Sequence, residues 1–319
     1  MSDNLKRLQE GEAKAMQLRN DYKDLLSKKP PVEWNKIIFP AIHISEWDDM
    51  LRYGMCWLYN WFMIITPEHG LLVDPGVDFS YRWMKSWYPI SRCDTMYITH
   101  QHIDHVWWAP AYLEWLLRGR KMINIMLTPE TIEDGNIPKY YLWSSPERAS
   151  HNVTLLDEEK EIDCWPYKLQ TIQHFHGAVC YGFSTIINGK KISHISDTWY
   201  ATKVRDSEWE KLVGKEKVIW APLEILEKRE SLRNAIAWSD TVIINMEVMD
   251  YAKNSYTHAT AYDIIDMVKD NNIKNLIISH INPCGQYTLE WMKDLQEFVQ
   301  EQSWVTTIIP GRDGLEYEF

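Results

Sequence analysis

Thr95-Met96-Tyr97-Ile98-Thr99-His100-Gln101-His102-Ile103-Asp104-His105 is an apolar run that ends in three imidazoles and a carboxylate within six residues. In an extended segment, side chains at i and i+2 point the same way, so His100 and His102 can grip one ion together. Asp104 and His105, on the turn that follows, can reach a second ion. A single His beside an apolar run is more often a core or surface residue than a ligand. With 11 His in 319 residues, however, a chance His-x-His-x-Asp-His cluster directly after a strand is improbable. The geometry suits a two-metal hydrolase.

The segment resembles the His-x-His-x-Asp-His signature of the metallo-β-lactamase superfamily, residue for residue. Other stretches resemble the remaining family motifs, in the family's order. Gly70-Leu71-Leu72-Val73-Asp74-Pro75-Gly76 is similar to the strand ending in the Asp that braces the ligand loop. His176, followed six residues on by Gly182 and Phe183, resembles the third-motif His. Ile195-Ser196-Asp197-Thr198 resembles Gly-Asp-Thr, with Ser196 in place of Gly. Leu276-Ile277-Ile278-Ser279-His280 resembles the strand that carries the last ligand.

The resemblance implies an αββα sandwich, two mixed β-sheets flanked by helices. It also implies a ligand set in which His100, His102 and His176 hold one ion, Asp104, His105 and His280 hold the other, and Asp197 bridges both with its two oxygens. Hydroxide held between two such ions is a nucleophile at neutral pH, because coordination lowers the pKa of water from about 15.7 to around 7. Imidazole and carboxylate donors accept zinc, manganese, iron, cobalt or nickel. Two divalent ions are expected, zinc by default on family grounds, with manganese or iron as alternatives.

Tyr256-Thr257-His258-Ala259-Thr260-Ala261 resembles the His-x-Thr element of the ribonuclease Z and related phosphodiesterase branch. There the His acts on the scissile phosphate, assisted by a Glu at the end of the preceding strand. Glu247 stands at that point, although Met246 replaces the usual His before it. The resemblance implies Asp104, His258 and Glu247 as catalytic residues, with Asp104 handling the proton of the attacking water and His258 stabilising charge or protonating the leaving oxygen. The plainer alternative makes His258 a helix N-terminal residue with Thr257 as its cap, and Glu247 a solvent-facing carboxylate.

A long tRNA-gripping arm is absent, since the interval from His176 to Asp197 has room for one strand pair around the Asn188-Gly189 turn. Charge agrees: 34 Lys and Arg against 45 Asp and Glu leave −11, the wrong sign for following a polyphosphate. The expected partner is therefore a small-molecule substrate, a cyclic nucleotide or similar diester, and no long nucleic acid. Among 17 Trp, Trp57, Trp61, Trp107, Trp108 and Trp199, with Tyr200, fall near the motifs, where at most two are expected to stack a base. A lactone, thioester or amide hydrolase, a di-iron redox enzyme and a binding protein on the same fold are the competing readings.

By pattern alone the chain is α/β: short strands (Leu71 to Val73, Met96 to Ile98, Ile243 to Asn245, Leu276 to Ser279) alternate with helices near Ala109 to Arg118, Ile225 to Ala237, Ala259 to Asp270 and Leu289 to Gln300. With 45% hydrophobic residues, residues 31–319 can form one catalytic domain. Residues 199–240 form an insertion near the site. Residues 1–30 form a helical extension, a candidate homodimer element, ended by Pro30-Pro31. No span long enough to cross a bilayer and no signal-peptide core is seen, so a cytoplasmic protein without membrane contact is expected. Cys56, Cys93, Cys164, Cys180 and Cys284 fit reduced thiols. His174 and His194 lie on predicted strands near ligands, as braces or as core residues.

Overall fold

Apolar runs with no polar face need cover on both sides, and here they receive it from two sheets and two helical layers. A computed structural model of the protein describes residues 10–18, 20–21, 32–39, 61–76, 90–118, 121–142, 151–200, 230–246, 258–269, 271–280, 294, 296–301, 307–310 and 315–319. The strands are β1 (Lys36–Phe39), β2 (Phe62–Ile65), β3 (Gly70–Val73), β4 (Thr95–Tyr97), β5 (Asn124–Leu127), β6 (Asn152–Leu155), β7 (Glu161–Cys164), β8 (Tyr167–His174), β9 (Cys180–Ile187), β10 (Lys190–Ile195), β11 (Thr241–Asn245), β12 (Asn275–Ser279), β13 (Thr307–Pro310) and β14 (Leu315–Glu318). They form two seven-stranded sheets, ordered β14-β1-β2-β3-β4-β5-β6 and β13-β12-β11-β10-β9-β8-β7.

Both sheets are mixed. In the first, β14 to β3 pair antiparallel and β3 to β6 parallel. The second has the antiparallel half at β7 to β10 and the parallel half at β10 to β13.

The period-2 alternation of strands sorts side chains into three cores. Ile37, Phe62, Ile64, Leu71, Val73 and Tyr97 face the second sheet and meet Phe183, Ile192, Ile243 and Ile277. Their neighbours Ile38, Met63, Ile65, Leu72 and Met96 face outward and pack on Tyr112, Leu113 and Leu116 of the helix Ala109–Arg118. Outside the second sheet, Val242, Ile244, Leu276 and Ile278 pack on Ile264 and Met267 of the helix Ala261–Val268. The αββα sandwich is thus built layer by layer as the resemblance implies.

Three of the expected strands begin one or two residues earlier, the one expected at Met96 to Ile98 lies one residue earlier at Thr95–Tyr97, and the helix Ala109–Arg118 matches its expected span. The helix near Ala259 starts two residues later, at Ala261, because Thr260 caps it: its hydroxyl accepts from the Asp263 N–H while the Asp263 carboxylate accepts from the Thr260 N–H. Residues 230–236 and 296–300 are helical within the other two expected helices, the second continuing to residue 301, and residues 10–18 are helical within the N-terminal extension. Glu247, Trp57, Cys56, Cys284 and most of the 199–240 insertion lie outside the described residues. Among the described residues no helix is long and apolar enough to cross a membrane.

Buried histidines away from the ligand cluster make the fold acid-sensitive. His151, just ahead of β6, accepts the Ile123 N–H through Nδ1 at 3.3 Å, and burial pushes its pKa down to about 4. Above pH 6.5 the ring is neutral in both folded and unfolded chains, so its full contribution is present. As pH falls from about 6.5 to about 4, the unfolded chain takes up a proton that the folded chain refuses, and stability is lost. Urea midpoints of wild type and His151→Gln at pH 7 and pH 4.5 test this. The variant's decline between the two pH values is expected to be smaller by about 2 to 3 kcal/mol; parallel declines would refute it.

Candidate metal centre

One rim of the sandwich collects the ends of β3, β4, β8, β10 and β12, and each is followed by a residue of the His/Asp cluster or its brace. At parallel strand ends backbone groups leave the ladder, so side chains can converge there without interrupting the sheet. Asp74 and His280 turn sharply off β3 and β12 with φ of 49° and 58°. Such left-handed backbone costs roughly 1 kcal/mol or more at a non-glycine residue and concentrates at functional sites.

His100 and His102 lie in the segment after β4, their rings 4.6 Å apart edge to face. Asp104 and His105 follow on the single helical turn Ile103–Val106, with His105 buried. His176, two residues past β8, brings its Nε2 to 3.1 Å from His102 Nδ1. Two imidazole nitrogens so close either share a proton or converge on one cation. His280 Nε2 and His105 Nε2 each stand 3.2 Å from Asp104 Oδ2.

Two groups of donors result: His100, His102, His176 and Asp197, and Asp104, His105, Asp197 and His280. Within each, one ligand atom per residue lies within 4.8 Å of all the others. All seven residues expected as ligands are brought together, with Asp197 common to both groups. The donor chemistry fits divalent ions. So does one orphaned atom: His100 Nε2 is buried without a hydrogen-bond partner, 3.7 Å from Asp197 Oδ2.

Tautomers follow from hydrogen-bond accounting. The Asp74 carboxylate accepts the Thr99 N–H at 2.7 Å, the Thr99 hydroxyl at 2.8 Å and the His105 Nδ1–H at 2.8 Å. Having donated to Asp74, the Thr99 hydroxyl can only accept from Ser196 Oγ (2.9 Å) and His100 Nδ1 (3.0 Å). Both His100 and His105 therefore carry the proton on Nδ1 when neutral and turn Nε2 into the site. Ser196, the departure from the Gly-Asp-Thr pattern, is the donor that completes this accounting.

Burial opposes ionisation of Asp197, but His280, His105 and His258 outweigh it and hold the carboxyl well below the usual carboxylate range. Burial likewise opposes a charged His105, yet the carboxylates of Asp104, Asp197 and Asp74 raise its pKa well above that of a free imidazole. For His100 burial wins, reinforced by His105, and the ring stays neutral. Three carboxylates around His105 make the pocket a place for added positive charge.

His258 Nε2 is 3.0 Å from Asp197 Oδ2, with its ring 5.2 Å from His176 and 5.6 Å from His280. It has no capping duty, because Thr260 is the cap. Sequence reading missed Asn245, at the end of β11, whose amide donates to Asp197 Oδ1 at 2.9 Å. An Asn closing a buried strand carries no signal by itself.

The remaining sequence candidates divide. His194 is core, edge-on to Phe62 at 5.0 Å. His174 is buried with Nδ1 3.6 Å from Cys180 Sγ, and burial keeps the Cys180 thiol protonated. Trp61 and Tyr200 are core residues instead of ligand contacts, since the first packs in the core under the helix Ala109–Arg118 and Asp266 holds the hydroxyl of the second at 2.9 Å. Trp107 and Ile103 are exposed, one turn apart, on the segment that carries Asp104 and His105.

The family model described as the beta-lactamase superfamily domain matches residues 69–281, the span that holds every donor above. No curated protein matches the chain. Solved structures share the fold. The metallo-β-lactamase fold protein YhfI from Bacillus subtilis has 11% identity and a TM-score of 0.64 over 90% of this chain and 100% of its own. A diphosphatase from the PhnP family has 14% and 0.55 over 81% and 83%. The short form of human tRNase Z has 16% and 0.53 over 88% and 98%.

Proposed function

From the premise that this chain belongs to the β-lactamase superfamily, and is thus a metal-dependent hydrolase, we propose that it is a two-metal phosphodiesterase acting on a small substrate. The observation that carries the reading is His258, held 3.0 Å from the shared carboxylate and beside rings of both donor groups. A residue so placed can stabilise charge or deliver a proton where a diester's leaving oxygen departs.

His100, His102, His176 and Asp197 would hold one ion, zinc by preference, and Asp104, His105, His280 and Asp197 the other. Bound there, the ions would supply Lewis acidity and a water acidic enough to attack at neutral pH. Asp104, with Oδ2 3.2 Å from both His105 and His280, would orient that water and accept its proton. Glu247, next after Met246, is assigned to assist His258.

A small substrate is supported by the chain between His176 and Asp197, which holds only β9, β10 and their connections, and by the net charge of −11. Trp107 and Ile103 offer an apolar rim to a base or sugar face.

The test is turnover of bis(p-nitrophenyl) phosphate and of 2′,3′- and 3′,5′-cyclic nucleotides by protein stripped of metal and reloaded with zinc, manganese or iron. Metal-restored cleavage of a diester is expected. His258→Ala should lower kcat by about 100-fold or more, within the range for a lost acid-base group, while metal content stays at the wild-type level. No cleavage of any diester by a two-metal protein would shift the assignment to lactone, thioester or redox chemistry.

A further inference from the structure

Asp197, Asn245 and His280 come from the ends of three neighbouring parallel strands, β10, β11 and β12, with Asn245 opposite Ser279 in register. Asn245 is buried, 1% exposed. The side of its amide that faces Asp197 Oδ1 must be the NH2, because a carbonyl there would oppose a carboxylate oxygen. The 2.9 Å bond ties up Oδ1 and leaves Oδ2 turned the other way. The imidazoles that approach this carboxylate meet it at Oδ2: His258 at 3.0 Å, His105 at 3.2 Å, His280 at 3.6 Å, His100 at 3.7 Å and His176 at 3.9 Å. The expectation that Asp197 would share two oxygens between two ions meets an amide that has already taken one of them.

We propose that Asn245 is a positioning residue for the metal centre: its amide locks Asp197 so that Oδ2 alone is presented to both donor groups. This rests on the two-metal reading above and goes beyond it, since it fixes which oxygen is shared and what holds it. A neutral amide suits the task, because it restrains the carboxylate without cancelling the charge that attracts the ions, as Lys or Arg would. Without it Oδ1 would be a buried acceptor with its donor removed. The carboxylate could then turn and split its oxygens between the two donor groups.

Metal-stripped full-length protein is titrated with Co(II) by calorimetry, with the visible and EPR spectra followed at each equivalent. Wild type is expected to bind two ions per chain. Asn245→Leu, close in size and without a donor, should lose about 10- to 100-fold in affinity for at least one equivalent, as is usual when a ligand's support is removed, and its two-ion spectrum should change. Asn245→Leu that is folded by circular dichroism and binds two ions with wild-type affinity and spectrum overturns the inference and leaves the two-metal reading intact. Fewer than two ions on wild type overturns the two-metal reading and the inference with it. If the variant does not fold, a crystal structure of zinc-loaded wild type decides: Oδ2 on both ions with Oδ1 on Asn245 supports the lock, and an Oδ1–zinc bond overturns it.

Discussion

Asp197→Ala is expected to leave a chain that retains at most one ion and cleaves bis(p-nitrophenyl) phosphate about 10⁴-fold more slowly, a loss of roughly 5 kcal/mol in transition-state stabilisation. Asp197 is the single donor common to both groups, so its removal damages both at once. The electrostatics act in the same direction. Asp197 offsets the positive charge that Asp104 and Asp74 stabilise on His105, and without it the clustered imidazoles face one another with less compensation. The control is Asp157→Ala: this half-exposed carboxylate meets Lys160 at 2.5 Å on the surface, where an ion pair is worth about 0 to 1 kcal/mol. Metal analysis and turnover measured together give the answer. Two retained ions with activity within about tenfold of wild type would remove Asp197 from the centre of the scheme.

Gly182→Ala is expected to destabilise the fold by about 3 kcal/mol or more, the upper range for overpacking a rigid site. A Cβ built on Gly182 would lie 2.2 Å from the His194 carbonyl oxygen and 2.6 Å from the His174 ring. The carbonyl cannot retreat, because His194 is paired with Phe183 across β9 and β10. Nor can Gly182 move away freely, since its own carbonyl accepts the Tyr97 hydroxyl at 3.0 Å and ties the two sheets together. Gly135→Ala separates crowding from backbone strain. Gly135 has φ of +78° and open space, with nothing within 4 Å of an added methyl, so only the left-handed conformation opposes it, at about 1 kcal/mol. Equal urea midpoints for the two variants would refute the steric argument.

These two positions also mark how far the sequence could be read. Gly182 stood out as part of a motif, and its physical reason is a close approach of β9 to β10 and to His174 that no local pattern displays. His100, His102, Asp104 and His105 were legible because four donors sit within six residues of an apolar strand. Asp197, His176 and His280 were reachable through motif order, since each ends or follows a strand with an ordinary pattern. Trp61 and Tyr200 were drawn toward the site by their neighbours in sequence and belong to the cores, because inward or outward facing depends on register. His258 was legible as a motif, and the capping role that competed with that reading fell to Thr260, three residues beyond Thr257.

The chain's local chemistry by itself determined the α/β alternation, the family and the inventory of seven donors, because strand period, helix caps and ligand spacing are properties of neighbouring residues. The tertiary structure alone decided how those donors are aimed: Thr99, fed by Ser196 from 97 positions away, sets the His100 tautomer, and Asn245, 48 positions from Asp197, holds its second oxygen. A hydrogen bond is a matter of a few tenths of an ångström and a direction. Between residues so far apart in the chain, both are set only when two sheets pack and adjacent strands take their register.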